Sequence, residues 1–339
     1  MQFKPKPSID DVARLARVST ATVSRSLNEP ERVKRETLEA VRNAVEELGY
    51  TPHFGGRALA SNKTNTIGAI IPTMDNAIFA RGIQALEETL AQAGVTLLVA
   101  TSGYDPLREA EQIKTMLGRG IDGLMLIGEA RPEETYTLVE RQTVPVVLAW
   151  TFRRRSEHLC VGFDNRKAAS MITEHVLDLG HSRVAMIAGV AEGNDRAAQR
   201  IAGVRRALES RGLTLLADHL IEVKYDRIEA AAAMEKLMAL PVRPTAIMCG
   251  NDVLAVGALM YARDAGITVP TDVSVVGFDN IDLASVVEPP LTTVQVPHRR
   301  MGKTAAELLL ALCYRREKAA SVEFETELVI RESLGPPKH

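Results

Sequence analysis

Several things are scarce in this 339-residue chain, and each scarcity removes a class of protein. Cysteine occurs three times, as Cys160, Cys249 and Cys313, widely spaced and in apolar surroundings. That pattern reads as buried free thiols in a reducing compartment, not as a disulfide framework or a metal site. No apolar run approaches the roughly 18 residues of a membrane-crossing helix, so no membrane partner is expected. The first residues, MQFKPKPSIDD, contain no apolar stretch of the kind that marks a secretory signal, so the expected location is cytoplasmic. None of the seven histidines stands at metal-ligand spacing from another histidine or a cysteine, so neither a metal nor a cofactor is expected. The chain has no GxGxxG after a strand, no GxxxxGK[ST] loop, no GxSxG elbow and no HExxH helix. The expectation is therefore a protein that is not an enzyme. His181, in LGHSRVAMI, reads as a capping or packing residue, and Asp122, in RGIDGLML, as turn chemistry before a strand.

What is present suits a soluble protein of two or three domains: 46% hydrophobic and 25% charged residues. The net charge of −2 is unevenly spread. Residues 1–63 carry 11 Lys+Arg against 8 Asp+Glu, whereas the remainder carries 30 against 35. A mildly basic beginning on an acidic body fits a segment that faces phosphate. Lys4 and Lys6 lie between prolines in what reads as an arm.

The most informative stretch is residues 9–28, IDDVARLARVSTATVSRSLN. Ile9, Val12, Ala13 and Ala16 have the i, i+3, i+4, i+7 spacing of one buried helix face. Ser19 then provides an N-cap for a second helix over residues 20–28. That helix is expected to bury Val23 and Leu27 and to turn Thr20, Ala21, Thr22, Ser24 and Arg25 outward. Short hydroxyl and methyl side chains beside one arginine suit the floor of a DNA major groove, where a guanidinium can fork onto guanine. Two amphipathic helices of this kind also occur in ordinary helical bundles, and that reading stands beside the first. A third helix is expected over residues 35–49, with Leu38, Val41, Val45 and Leu48 on one face and Gly49 as its C-cap. The three helices should close over Val12, Val23 and Leu38. Residues 50–63 read as a linker; Gly55 and Gly56 in their middle disfavour a free-standing helix.

From residue 66 onward the pattern alternates. Short apolar strands at 67–72, 95–101, 123–128 and 144–150 are separated by helical stretches at 78–93 and 106–118, and VGFDN at 161–165 leads into a helix at 167–180. A second series follows: strands at 183–189, 221–223, 246–250 and 273–279, with helices at 200–212, 229–240 and 254–266. An amphipathic helix at 299–312 and a strand at 323–330 complete the chain. The two series echo each other, AGVTLLV against RGLTLLA. Apolar strands divided by helices imply parallel, doubly wound sheets. Two such lobes would take a ligand between them, at the C-terminal ends of their strands.

These residues resemble the lactose/galactose repressor family. The resemblance runs through IDDVARLARVSTATVSRSLN, ELGYTP at 47–52, RALASNKTNTIGAIIP at 57–72, RGIDGLMLIG at 119–128 and DLGHSRVAMIAG at 178–189, then RIAGVRRAL at 200–208, PTAIMCGNDVLAVGAL at 244–259, DVSVVGFDN at 272–280 and PPLTTVQVP at 289–297. It covers nearly the whole chain and implies an α/β protein with an N-terminal three-helix helix-turn-helix head and a two-lobed core like periplasmic sugar-binding proteins. The implied divisions are a DNA-binding domain at 1–50, a hinge at 51–63, one lobe at 64–163 with 295–324, and the other at 164–294 with 325–339. The implied function is a homodimeric repressor of double-stranded operator DNA, governed by a small molecule bound between the lobes. By the same matching, Thr20, Ala21 and Arg25 read bases, and Ser19, Thr22, Ser24 and Asn28 grip phosphates. Leu59 matches the leucine that pries open the central base step from the minor groove. Arg17 stands in the helix-turn-helix turn, where a left-handed backbone suits Gly or Asn better. No leucine-heptad tail follows, so a tetramer held by one is not expected.

The matching also places Phe79, Arg200, Tyr225, Asn251 and Asp279 around the ligand: an aromatic face for stacking, an amide and a carboxylate for hydroxyls, and a guanidinium for a carboxylate or hydroxyl pair. The stretch at 76–80, with Gly103-Tyr104 and residues 161–165, looks most like the gluconate-operon branch, which implies a sugar acid. Arg153, Arg154, Arg155 and Arg196 add positive charge within reach of an anion, or form a solvated loop. The alternative to a regulator is a cytoplasmic sugar-binding module without a regulatory role.

Overall fold

A computed structural model describes residues 6–51, 63–75, 77–315 and 317–338. They fall into two units that divide between Thr64 and Asn65.

In the first unit, α1 (Ile9–Leu15) opens with a reciprocal cap: the Asp11 amide donates to Ser8 Oγ, and the Ser8 amide donates to Asp11 Oδ2 at 2.9 Å. Arg17 takes the left-handed backbone expected of the turn, with φ 55°. Ser19 caps α2 (Thr20–Asn28) by accepting from the Thr22 amide at 3.2 Å. The third helix, α3 (Arg35–Leu48), ends on Gly49 at φ 61°. The small core is Val12, Ala13, Val23, Val41, Ala44 and Tyr50. Leu38, expected at its centre, is half-buried outside that cluster, and Tyr50, read as the start of a linker, is inside it.

The second unit is the α/β part, with parallel sheets as expected. Its strands are β1 (Thr66–Ile71), β2 (Thr96–Thr101), β3 (Gly123–Ile127), β4 (Val146–Ala149), β5 (Leu159–Gly162), β6 (Val184–Gly189), β7 (Leu220–Val223), β8 (Ala246–Cys249), β9 (Ser274–Val276), β10 (Thr293–Gln295), β11 (Val322–Glu323) and β12 (Glu327–Val329). One parallel sheet has the order β11-β5-β4-β3-β1-β2 and the other β7-β6-β8-β9. The single strand expected at 323–330 is two: β11 extends the first sheet, whereas β12 pairs antiparallel with β10. The chain changes partners within the expected strand.

The helices that flank the sheets include α4 (Ala77–Gln92), α5 (Pro106–Gly118), α6 (Glu133–Arg141), α7 (Asn165–Asp178), α8 (Asp195–Glu209), α9 (Arg227–Met238), α10 (Asp252–Asp264), α11 (Leu283–Val286) and α12 (His298–Leu310). Helix α6 had not been expected: EETYTLVER is short and mostly polar, and only Thr135 and Val139 are buried. Helix α8 begins five residues before the expected start, because Asn194 caps it by accepting from the Ala197 amide at 3.4 Å. Helices α4 and α12 cross so closely that a Cβ on Gly302 would lie 1.9 Å from the Gly82 carbonyl oxygen. Cys160 and Cys249 are buried thiols and Cys313 is partly exposed. His181 is buried, bridging Thr245 Oγ1 (2.9 Å) and the Gly335 carbonyl (2.8 Å), which is the packing role expected of it. Asp122 accepts from the Thr66 amide and from the Tyr314 hydroxyl at 2.7 Å.

Candidate functional site

Two sets of residues stand out, one in each unit. In the head, α2 turns Val23 and Ser26 inward and leaves Thr20, Ala21, Arg25 and Asn28 exposed. Thr22 and Ser24 are half-buried at the margin of that face, and Ser19, the cap, is exposed. The Ser19 and Thr22 hydroxyls lie 2.9 Å apart, and Asn28 Nδ2 donates to Ser24 Oγ at 3.4 Å. Leu27, expected to be buried, is only half-buried against the core. Arg25 makes no ion pair among the described residues, so its guanidinium is free to meet an acceptor outside the chain. Leu59, with Gly55 and Gly56, lies outside the described residues.

In the second unit the expected ligand residues converge where the two sheets' strand ends face one another. Arg200 is 5% exposed. Its Nε donates to Asn165 Oδ1 at 3.0 Å and its Nη1 to the Gly250 carbonyl at 2.5 Å; its plane lies 3.9 Å over the Phe278 ring. Asp279 stands 3.6 Å from Arg200 Nη2, fully buried, with φ 105°. Neither Asp279 carboxylate oxygen accepts a hydrogen bond among the described residues, and Asn251 Nδ2 likewise donates none. The Asn251 Oδ1 is engaged, capping α10 by accepting from the Leu254 amide at 2.9 Å. Phe79 is buried and meets Trp150 edge-on, the ring centroids 5.5 Å apart. Tyr225 packs against Tyr104 at 5.5 Å, and together they wall a cavity of about 560 Å³ that also touches Asn194, Lys224 and Asp226.

Burial decides the charge of this cluster. The Asp279 carboxyl is pushed up to about 7, because desolvation outweighs the attraction of Arg200 and Arg196. Asp252 beside it is pushed up to about 8 by burial and by the Asp279 charge, against the hydrogen bonds it accepts from Thr293 Oγ1 (2.6 Å) and the Ile281 amide (2.8 Å). His298 is pushed down to about 4 by burial, so it is neutral. It accepts from the Trp150 indole at 3.1 Å on Nδ1 and donates from Nε2 to the Asp279 carbonyl at 3.1 Å. That chain of bonds ties the end of β4 to the loop after β9. Asn165 Nδ2 adds a bond to the Trp150 carbonyl at 3.1 Å, and Arg196 one to the Ile127 carbonyl at 3.1 Å.

The structure thus brings Arg200, Asn251 and Asp279 together with Phe79 and Tyr225 at the margins. Sequence reasoning missed Trp150, Asn165, Asp252, Phe278 and His298. Asp252 and Phe278 were adjacent to residues already named and Asn165 closed a stretch already singled out; Trp150 and His298 come from scattered positions with no local signature. Arg196 is buried and committed to Ile127 and Asp195, so it does not belong with the exposed Arg153, Arg154 and Arg155.

Both units resemble parts of known proteins. Residues 8–53 match the model of bacterial regulatory proteins of the lacI family, and residues 173–334 match a periplasmic binding protein-like domain. The HTH-type transcriptional repressor PurR of Vibrio parahaemolyticus serotype O3:K6 (strain RIMD 2210633) is 34% identical over 330 residues, which span 96% of this chain and 98% of that protein. The HTH-type transcriptional repressor CytR of Escherichia coli (strain K12) is 34% identical over 327 residues, 96% of each chain. Among solved structures, the lac repressor dimer bound to operator and the anti-inducer ONPF matches with a TM-score of 0.83 at 26% identity, over 97% of this chain and 99% of that one. The head match and the full-length relatives decide the family: the chain belongs to the lacI family of bacterial regulatory proteins and is a DNA-binding transcriptional repressor of that family.

Proposed function

We propose that this repressor works as a homodimer on double-stranded operator DNA and that a small effector held between the lobes sets its affinity. Residues 1–50 are the reading head and 51–63 the hinge that carries Leu59. Residues 64–163 with 295–324 form one lobe, and 164–294 with 325–339 the other. In the head, Thr20, Ala21 and Arg25 read base edges while Ser19, Thr22, Ser24 and Asn28 hold phosphates. The observation that supports this most is Arg25, exposed on α2 with no carboxylate to hold it.

Between the lobes, Asp279 and Asn251 offer unmatched hydrogen-bonding atoms to hydroxyls, Arg200 fixes the Asp279 carboxylate, and the Tyr225 ring and Phe79 give apolar faces. Such a mixture suits a carbohydrate, and catalysis is not part of the reading. The sugar-acid form of the proposal needs a cation for the acid group. Arg196 and Arg200 are already committed, and Lys224, exposed on the tyrosine cavity, is the group left for it. That cavity also carries Asp75, Glu192 and Asp226, a balance that favours a neutral sugar unless the acid sits on Lys224. A thermal-shift panel of sugars and sugar acids separates the two, since a bound ligand raises the melting point by mass action.

The DNA reading is tested by Arg25→Ala. It should lower affinity by roughly 1–3 kcal/mol and flatten base preference at one operator position. A variant that keeps full preference at every position would remove α2 as the reading element.

A further inference from the structure

A second cavity, of about 840 Å³, shares no lining residue with the tyrosine cavity. Its size is that of a small-molecule site. Arginines reach it from both lobes: Arg153, Arg154 and Arg155 from the loop after β4, Arg166 from the first turn of α7, and Arg206 from α8. Four carboxylates also line it, but three are already engaged. Glu129 pairs with Arg153 at 3.0 Å, Asp195 with Arg196 at 3.1 Å, and Asp164 caps α7 by accepting from the Lys167 amide at 2.9 Å. Asp164, held only by that backbone amide, and Glu323 make up the acidic set left without a cation among the described residues. Against it stand Arg154, Arg155 and Arg206, which pair with no described carboxylate, and Arg166, which donates only to the Gln199 amide oxygen at 3.0 Å.

Like charges gathered on facing walls of a concave groove repel one another. An anion between them reverses the sign of that interaction. Guanidinium groups present paired donors that match the oxygens of phosphate. We propose that this groove is a second ligand site, taking a small molecule with two or more negative charges of the phosphate type and gripping it from both lobes at once. Because Arg154 and Arg155 belong to one lobe and Arg166 and Arg206 to the other, an occupant favours the arrangement in which the walls are close. The groove borders the buried cluster at Asn165, but Arg200, Asn251 and Asp279 do not line it.

The test is titration of the full-length protein with inorganic pyrophosphate at constant ionic strength, sodium chloride making up the balance, followed by calorimetry and melting temperature. Saturable binding of pyrophosphate, with little response to chloride, is expected. Arg206→Ser should weaken it by about tenfold, the factor for losing one charge-assisted hydrogen bond. Arg205→Ser removes the same charge from the neighbouring exposed position, which does not line the groove, and should change affinity less than about twofold. Both side chains are exposed, so circular dichroism should show both variants folded. Absence of saturable binding, or equal loss in the two variants, would overturn the proposal, the second outcome leaving only diffuse surface charge.

Discussion

Replacing Asp279 by asparagine isolates the charge of the buried cluster while keeping its shape. The wild-type carboxyl is pushed up to about 7 from an ordinary 3.8, so in the folded protein it holds its proton far above the pH at which the unfolded chain releases it. The sign follows from linkage. Where the folded state binds more protons than the unfolded one, stability falls as pH rises. Asp279 therefore makes its best contribution below about pH 4 and loses it progressively up to about pH 7. At 1.36 kcal/mol for each pH unit, the span corresponds to about 4 kcal/mol, an upper figure because the neighbouring carboxyl of Asp252 titrates with it. Asparagine cannot ionise, so Asp279→Asn should lack this part of the decline. Urea unfolding of both proteins between pH 4.5 and 8 should give curves that diverge, the variant gaining on the wild type as pH rises. The difference should be smallest at the acid end of the range and level off above about pH 7, where Asp279 is ionised in both states. Parallel curves across the range would mean that Arg200 at 3.6 Å fully offsets the burial of Asp279, and the description of this carboxylate as desolvation-dominated would fail.

Two further substitutions test the backbone on which the sites rest. Arg17→Gly should stabilise the head by about 0.5–1 kcal/mol, since glycine relieves the left-handed strain at φ 55° and gives back part of the gain as chain entropy; slower hydrogen exchange of the α1 and α2 amides would register it, and unchanged or faster exchange would contradict it. Gly128→Ala should cost about 1–3 kcal/mol, because φ is 73° and the new Cβ would lie 1.8 Å from Arg196 Nη1, displacing the bond from Arg196 to the Ile127 carbonyl; a melting temperature equal to that of the parent would count against that contact.

The fold was legible where the physics is local. Apolar strands and the glycines that end helices announced the parallel sheets, and Ser19 and Gly49 announced their caps from residue type alone. Arg17 was legible for the opposite reason, as a residue standing where the turn wants glycine. Helix α6 was not, because nine largely polar residues bury too little to impose a period. The division of 323–330 between two sheets depends on pairing partners far away in sequence, which no local pattern encodes. The same holds for the cluster. Trp150, His298 and the Asp279 carbonyl form one hydrogen-bonded run, yet Trp150 stands more than a hundred positions from the other two, and nothing around it marks it as a donor to a histidine.

A ligand held at this cluster, as proposed, would be felt at a distance without any new machinery. The cluster's members come from both lobes: Trp150 and His298 on one side, Asn165, Arg200 and Asp279 on the other, joined by hydrogen bonds to backbone carbonyls. Asp279 keeps two acceptor oxygens and Asn251 one donor nitrogen without hydrogen bonds, and each buried group of that kind costs about 1–3 kcal/mol. A ligand that supplies those partners recovers part of the cost only in the lobe arrangement that brings them together. Its binding energy thus falls unequally on the arrangements the core can adopt, which is the condition for a shift in population. If those arrangements also differ in affinity for operator DNA, reciprocity requires the DNA to alter ligand affinity by the same factor that the ligand alters DNA affinity. Measuring both constants for Asn251→Ala, which removes one of the unmatched atoms, should show the two couplings shrinking together.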